Sequence, residues 1–200
     1  MAEKSEESAT AASPDELKRE RRKKLLLYIA IFAVFQVIVI AVFVLVVLKA
    51  RSPKLRLGDI EVQNLVTGTD TSPTFDATFG AEVRVKNPNF GPYKFETTLV
   101  SFTYEGIVVG QVVVQEGKVG MKSTKEIDVI VSVSSRYLGG FGTNNLASEL
   151  GVGFLTLRGN AVMRGKVELL GIVKKNKAAQ MSCFITFDLA SKMVRNLDCE

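Results

Sequence analysis

The distribution of apolar residues divides the chain into parts with different patterns. Residues 25–48 form an unbroken apolar run without a charged side chain, in which Gln36 is the only strongly polar residue. A helix of this length extends roughly 36 Å at ~1.5 Å per residue, which exceeds a hydrocarbon core of about 30 Å. We therefore predict a membrane-spanning signal anchor over 25–48. The run is too long for the core of a cleaved signal peptide.

Beyond this run, apolar and polar residues alternate. One face of the segment 75–86 is apolar and consists of Phe75, Ala77, Phe79, Ala81, Val83 and Val85. A period of two sustained over this length predicts a half-buried β-strand. The same alternation recurs at 127–133. Further strands are predicted near 57–65, 94–104, 108–115, 155–169 and 181–189.

Gly and Pro separate these predicted strands, as in Asn87-Pro88-Asn89 and Glu105-Gly106. Regularly spaced strands of this kind predict a mostly β protein with an antiparallel β-sandwich. One short helix is predicted over 145–150, with Asn144 or Asn145 as its N-cap and Gly151 just after its end. The segment 189–197 is compatible with a helix or a strand.

Composition sets the boundaries between these parts. Residues 1–24 contain no aromatic side chain and are rich in Ala, Ser, Glu and Lys. Such a segment buries too little apolar surface to offset its ordering entropy, so we predict a disordered tail. We assign 49–57 to a basic juxtamembrane linker. Residues 58–200 are long enough for one domain with its own core.

Basic residues flank the apolar run on both sides. The segment before it carries Lys18, Arg19, Arg21, Arg22, Lys23 and Lys24. The segment after it carries Lys49, Arg51, Lys54 and Arg56. The larger number precedes the run, which favours a cytoplasmic N-terminus. We expect the six preceding cations to contact anionic lipid headgroups, so membrane lipids are a predicted partner.

The net charge of +5 is concentrated beside the apolar run. Residues 49–57 carry four basic side chains and no acidic one, whereas 58–200 carry equal numbers of both signs. The predicted outer domain therefore lacks the basic stretch that neutralises nucleic-acid phosphates, and we expect no nucleic acid as a partner.

The chain contains no histidine and two cysteines. The absence of histidine excludes Ser-His-Asp and Cys-His mechanisms, and no carboxylate pair is singled out. We therefore predict that the protein is not an enzyme and holds no cofactor or metal. Cys183 and Cys199 could form a disulfide in an oxidising compartment. Two free thiols are the alternative, if the domain faces the cytosol.

The chain resembles the plant late-embryogenesis-abundant type-2 family, also called the water-stress and hypersensitive-response domain, through several residues that follow the apolar run. The residues that carry this resemblance are Asn87, Pro88, Asn89, Tyr93, Phe102, Tyr104, Gly106, Gly110 and the Cys183-x-Ile185-x-Phe187…Cys199 pattern. Within the family, the chain looks like the membrane-anchored hairpin-induced-like and non-race-specific-disease-resistance-like members. It departs from many relatives after Gly110, where it reads Gln-Val-Val-Val-Gln. The sheet edge there is therefore expected to differ.

The resemblance implies a fibronectin- or immunoglobulin-like sandwich and a role in abiotic stress or pathogen defence. We expect a single-pass plasma-membrane protein whose extracellular sandwich binds or scaffolds cell-wall or membrane protein partners. An endomembrane location, such as the endoplasmic reticulum, is the alternative site. The alternative function is a lipid-binding or lipid-transfer module, because a parted sandwich can expose an apolar groove. The ligand, the stimulus and the oligomeric state do not follow from the sequence.

Overall fold

The computed structural model describes residues 14–47, 49–69, 71–140, 142–169, 171 and 173–199. Contacts within the chain divide it into two compact units, with the division between Val46 and Val47. The first unit contains the helix α1, Pro14–Val47, except for its last residue. The second unit contains all the described strands and one further α-helix.

The helix α1 contains the predicted membrane span over its described length, and Leu48 lies outside the described residues. The prediction of a disordered tail to Lys24 is wrong for 14–24, which are helical. Extending an existing helix adds a hydrogen bond for each residue ordered, so helix formed by the apolar run continues toward the N-terminus. Pro14 suits the first turn because its fixed φ is helical. Residues 1–13 lie outside the described part.

Within α1, residues Arg21–Val46 form the one described helix that is long and apolar enough to cross a membrane. None of this 26-residue span is buried by other parts of the chain. At ~1.5 Å per residue the span extends about 39 Å. Its apolar side chains therefore have no protein partner within the described chain.

Ten strands are described in the second unit. They are β1 (Lys54–Thr69), β2 (Ser72–Lys86), β3 (Tyr93–Phe95), β4 (Thr98–Tyr104), β5 (Ile107–Val114), β6 (Gly117–Val119), β7 (Thr124–Ser134), β8 (Phe154–Leu169), β9 (Val173–Asp188) and β10 (Met193–Cys199). A 3-10 turn, Ser135–Leu138, and the helix α2, Thr143–Val152, lie between β7 and β8.

All the long predicted strands are present, with several differences at their ends. The strand β1 begins at Lys54, inside the segment assigned to the linker. The predicted strand 94–104 is interrupted between Phe95 and Thr98, and the short strand β6 was not predicted. The open segment 189–197 contains a turn over 189–192 and enters the strand β10 at Met193. Hydrogen bonding to β9 decides this, because its sequence pattern fits either structure.

The helix α2 is longer than the predicted helix 145–150. Neither Asn144 nor Asn145 is its N-cap, because Gly142 occupies that position without a side-chain cap. Gly153, rather than Gly151, follows the helix at φ 84°, in the left-handed region that glycine adopts without steric cost. The Leu146 N–H donates to the Gly142 carbonyl oxygen at 3.0 Å, so the first helical turn begins before Asn144 and Asn145.

The strands form two antiparallel sheets. The first sheet has the order β1-β2-β7. The second contains seven strands, with β10-β9-β8-β3-β6 along one path, while β4 pairs with both β8 and β5. The strand β5 therefore forms an edge of this sheet.

The two sheets enclose one core. The predicted apolar face of β2 is buried along its whole length, from Phe75 to Val85. Its aromatic rings contact the other sheet: the ring of Phe79 lies 5.5 Å from that of Phe102 and 5.4 Å from that of Phe187, centroid to centroid. These contacts between facing sheets define a β-sandwich, as predicted.

Candidate functional site at the entry end of the sandwich

The residues that carry the family resemblance do not form one site. The sandwich has an entry end, where β1 begins, and a far end, where β4 and β7 finish. Asn87, Pro88 and Asn89 lie in the loop after β2, at the entry end. Tyr93 follows on β3 and is also at this end, whereas Tyr104 and Gly106 lie at the far end.

Asn87 and Asn89 form a buried polar cluster, which we call the asparagine node. The Asn87 side-chain amide donates to the carbonyl oxygens of Gly91 and Gly120, each at 2.8 Å. Its oxygen accepts from the backbone N–H of Asn89 at 3.1 Å and from the Asn89 amide at 3.0 Å. All the hydrogen-bonding capacity of this buried amide is therefore used. A carboxylate could not replace it, because a carboxylate donates no hydrogen bond.

The asparagine node also holds the chain that leads into β1. The Asn89 amide donates to the Arg51 carbonyl oxygen at 2.8 Å, and the Arg51 N–H donates to the Asn89 side-chain oxygen at 2.6 Å. Asn89 and Arg51 are 38 positions apart in the chain. The Asn87-Pro88-Asn89 motif thus holds the predicted linker in place through these hydrogen bonds. This role adds to the predicted one, a turn that ends one strand and sets the next.

Tyr93, which follows the node on β3, is fully buried. Its hydroxyl lies 3.2 Å from the Met163 carbonyl oxygen and 3.3 Å from that of Lys177. Burial, with a smaller contribution from the charge of Glu96, raises the pKa of Tyr93 to about 12. The phenol therefore stays protonated and donates to β8 and β9 at neutral pH, which is a structural role.

Tyr104 differs from Tyr93 although both rings are buried. Its hydroxyl is buried and has no hydrogen-bond partner in the described structure. Burial is the largest cause that raises the pKa of Tyr104 well above its usual range, followed by the charges of Glu149 and Glu105. The ring packs edge-on against Phe75 at a centroid distance of 6.0 Å. We assign it to the core at the far end.

Gly106 and Gly110, the two glycines of the family pattern, are glycine for different physical reasons. Gly106 has φ 84° in the turn after Tyr104, a conformation that disfavours other residues. Gly110 instead lies where β5 crosses β7, and an added Cβ would collide with the Ser132 carbonyl oxygen. Gly110 therefore permits close approach between the edge of one sheet and the other sheet.

Cys183 and Cys199 are joined in a disulfide, in agreement with the interpretation favoured by their even number. They are directly paired residues on β9 and β10, with Cα atoms 4.1 Å apart. Neither of the described cysteines is free. The bond fastens the edge strand β10 to the sheet, so it stabilises the end of the chain.

A basic cleft lies beside the first sheet at the entry end. It has a volume of about 510 Å³ and is lined by Lys54, Arg56, Leu57, Arg84, Lys86, Thr124, Leu197, Asp198 and Cys199. Lys54 is paired with Lys86 across the β1–β2 ladder, and Arg56 is paired with Arg84. Like charges directly opposite each other on a sheet are unfavourable, so the cleft concentrates positive charge at an energetic cost.

Only some of the basic side chains that line the cleft are paired with carboxylates. Arg84 contacts Asp59 at 3.2 Å and Glu126 at 3.6 Å, and it also contacts Glu82. No ion pair within the described part of the chain involves Lys54, Arg56 or Lys86. The cleft therefore presents an excess of positive charge suited to an anion.

Two loops next to the cleft expose apolar side chains. Phe90, in the loop that contains the node, is 41% exposed, and Met121, in the turn before β7, is 61% exposed. The Lys122 N–H donates to the Asn89 carbonyl oxygen at 3.1 Å, which joins the two loops. The Lys122 ammonium lies 4.0 Å from the centre of the Phe90 ring. We call Phe90, Met121 and Lys122 the entry tip.

A second apolar area lies on the outer face of the seven-stranded sheet. Leu99 is paired with Val113, and Leu99 and Val162 line the same shallow depression beside the β4–β8 pairing. These three side chains are 47 to 51% exposed. We call them the outer-face patch. An exposed sheet face is ordinarily polar, so the patch is a candidate contact surface.

Sequence reasoning predicted neither the basic cleft nor the entry tip. The only signal for them in the sequence is the basic run 49–57, which the composition alone assigns to a linker. Of the predicted headgroup-contacting residues, Arg19, Arg21, Arg22, Lys23 and Lys24 are exposed on α1. The side chain of Lys18 lies outside the described part. Among the described residues, no three His, Cys, Asp or Glu side chains are grouped as metal ligands.

Comparison with known proteins agrees with the predicted family. A family model described as late embryogenesis abundant protein matches residues 82–184. Late embryogenesis abundant protein At1g64065 of Arabidopsis thaliana is 32% identical over 156 residues, which cover 76% of this chain and 72% of that protein.

Solved structures also match over much of their length. A protein from Archaeoglobus fulgidus covers 66% of this chain and 96% of its own, with 12% identity and a TM-score of 0.38. The solution structure of AT1g01470 from Arabidopsis thaliana covers 68% of this chain and 82% of its own, with 16% identity and a TM-score of 0.38.

The described chain thus defines a class of protein in which an exposed apolar helix precedes a disulfide-bonded antiparallel β-sandwich. By the family model and the identity with the Arabidopsis relative, the chain belongs to the late-embryogenesis-abundant type-2 family. Membership of this family indicates a stress-related role.

Proposed function

We propose that this protein is a non-enzymatic, single-pass membrane protein of the plant stress or defence response, and that its sandwich binds or scaffolds other molecules outside the cytosol. The observation that carries the proposal is the Arg21–Val46 span, of which no part is buried by the rest of the described chain. Exposing so much apolar surface to water is unfavourable, and a bilayer covers it.

The disulfide and the flanking charges support a particular orientation. A Cys183–Cys199 bond persists in oxidising compartments and is rare in the cytosol. The basic cluster before the span favours a cytoplasmic N-terminus, which agrees with an extracytoplasmic sandwich. We propose the plasma membrane as the location and a hairpin-induced-like protein as the type. An endomembrane with a lumenal sandwich is the alternative.

The same orientation gives the N-terminal cations a role. Arg19, Arg21, Arg22, Lys23 and Lys24 are exposed where α1 would leave the cytoplasmic leaflet. Attraction between such cations and an anionic lipid surface contributes ~1 kcal/mol per residue near the surface. We propose that they hold this end of the helix at the inner headgroups.

The outer-face patch supports binding to a protein partner in the cell wall or the membrane. Its three apolar side chains contrast with the polar residues Ser101 and Asn160 beside them. Partner binding would remove these side chains from water at ~25 cal/mol per Å². The alternative of an internal lipid groove receives no such support, because the Val and Phe residues expected to line it are packed in the core.

Photo-crosslinking on intact plant cells tests the binding role. The full chain carries a photoreactive residue at Ser101, next to the patch, and is compared with the V162K variant. The proposal predicts a crosslinked protein that is lost in V162K. The I130K variant is the matched control, because Ile130 is an exposed apolar residue on the other sheet. A crosslink that persists in V162K, or is lost equally in I130K, contradicts a role for the patch.

A further inference from the structure

We propose that the entry end of the sandwich docks onto the headgroup layer of the bilayer that α1 spans, through the entry tip and the basic cleft. The inference rests on the proposed membrane anchoring and adds a second, peripheral attachment on the outer side. Its occupant is a phospholipid surface that contains anionic headgroups.

Covalent geometry limits how far the entry end can be from the membrane. The helix α1 ends at Val47, and Arg51 is four residues further along the chain. Four residues span at most about 14 Å even when fully extended. Since Arg51 is hydrogen-bonded in both directions to Asn89, the asparagine node is held within reach of the headgroups once α1 spans a bilayer.

The chemistry of the entry tip fits an interface between lipid and water. Phe90 and Met121 are apolar side chains that remain exposed, although the node beside them is fully buried. Lys122 lies over the Phe90 ring, so an apolar group and a cation are presented together. Aromatic rings and basic side chains with apolar stems favour this layer, because each has one apolar part and one polar part.

The basic cleft adds charge complementarity. Lys54, Arg56 and Lys86 have no ion pair in the described chain, and the cross-strand pairing of Lys54 with Lys86 sets like charges side by side. The phosphates of anionic headgroups would relieve this repulsion. Among the described residues that line the cleft, Asp198 is the one carboxylate, so the cations outnumber it. Removing one cation is expected to shift the docking equilibrium about fivefold, corresponding to ~1 kcal/mol.

The chain contains no tryptophan, so a single indole provides a probe without background. The F90W variant of the full chain is reconstituted in liposomes whose lipids carry bromine near the headgroup end of the acyl chain. Bromine quenches indole emission at short range. The Y137W variant is the control, because Tyr137 is 61% exposed and follows β7 at the far end.

The proposal predicts strong quenching of F90W and little quenching of Y137W. Quenching of F90W should increase with anionic lipid, decrease with salt, and weaken when K86Q is added. The matched charge control is K192Q, because Lys192 lies in the exposed turn between β9 and β10 at the far end. It should leave F90W quenching unchanged.

Equal quenching of F90W and Y137W overturns the proposal. Quenching of F90W that does not respond to anionic lipid or to K86Q also overturns it, since the cleft would then have no role. Resistance of the same preparation to alkaline carbonate extraction reports anchoring separately. A chain that resists extraction but fails the quenching test therefore counts against docking alone. A chain that is extracted counts against the proposed membrane anchoring.

Discussion

Asn89 and Arg51 exchange two hydrogen bonds that join the loop after β2 to the chain that enters β1. One bond runs from the Arg51 N–H to the Asn89 side-chain oxygen, and the other returns from the Asn89 amide to the Arg51 carbonyl oxygen. Asn89 is buried and Arg51 is exposed, so both bonds are partly shielded from water. The motif therefore determines where the sandwich begins, as well as where β2 ends.

Replacing Asn89 with alanine should release this segment. Each buried partner left unsatisfied costs about 1–3 kcal/mol, so N89A is expected to destabilise the entry end and to expose the Arg51 peptide bond. Limited trypsin digestion of the full chain in micelles should then cleave faster after Arg51. Asn176 is exposed, and N176A should leave the cleavage rate unchanged. Equal rates for N89A and the unmodified chain would show that the node does not hold the linker.

The two buried family tyrosines should respond in opposite directions to loss of their hydroxyls. Y93F removes a donor to the carbonyl oxygens of β8 and β9, and we expect a loss of about 1 kcal/mol in the free energy of unfolding. Y104F removes a buried hydroxyl without a partner, and we expect it to be neutral or stabilising by up to ~1 kcal/mol. Urea unfolding followed by the β-sheet circular dichroism signal measures both. Destabilisation of Y104F by as much as Y93F would contradict this assignment.

The same phenols predict a loss of stability at alkaline pH. The pKa of Tyr93 is about 12 in the folded state, and a tyrosine in an unfolded chain ionises near pH 10. Between these values the unfolded state releases a proton that the folded state keeps, so stability falls as pH rises. The fall should begin above about pH 10. It should be shallower in the Y93F/Y104F double variant and unchanged in Y137F, whose ring is exposed. An identical slope in the unmodified chain, the double variant and Y137F would exclude the buried phenols as the cause of the alkaline loss of stability.

Gly110 and Gly80 provide a matched pair of strand glycines. A Cβ at Gly110 would collide with the Ser132 backbone, whereas the nearest atom to a Cβ at Gly80 is 3.8 Å away. G110A should therefore destabilise the sandwich by about 1–3 kcal/mol, because the β5 edge must move away from β7. G80A should be neutral or slightly stabilising, because alanine has less freedom to lose on folding. Thermal unfolding of both variants checks this, and equal midpoints would contradict the close approach.

The sequence predicts much of this fold because its strongest patterns are local. The alternation from Phe75 to Val85 identifies β2 and its buried face without knowledge of its partners. The segment 189–197 is ambiguous in isolation, and pairing with β9 makes its part from Met193 onward a strand. The helical continuation to Pro14 was missed because composition alone does not account for extension from the apolar span.

The candidate site depends on contacts that local patterns do not contain. The basic cleft exists because the register places Lys54 opposite Lys86 and Arg56 opposite Arg84. A shift of one residue would separate these pairs. Three irregularities in the β1–β2 register lie between the turn and these pairs, so the local pattern does not predict which residues lie opposite each other. In the same way, nothing near Asn89 in the sequence indicates that its partner is Arg51.

The most direct test of the account is the topology of the intact protein. The full chain is expressed in plant protoplasts with one epitope tag at Met1 and another at Glu200, and the sealed cells are treated with protease. We expect loss of the Glu200 tag alone, which means a cytoplasmic N-terminus and a sandwich at the cell surface. If both tags survive, the plasma membrane is selectively permeabilised and the digestion is repeated. Loss of the Glu200 tag at that step would place the sandwich in the cytosol and contradict the central claim.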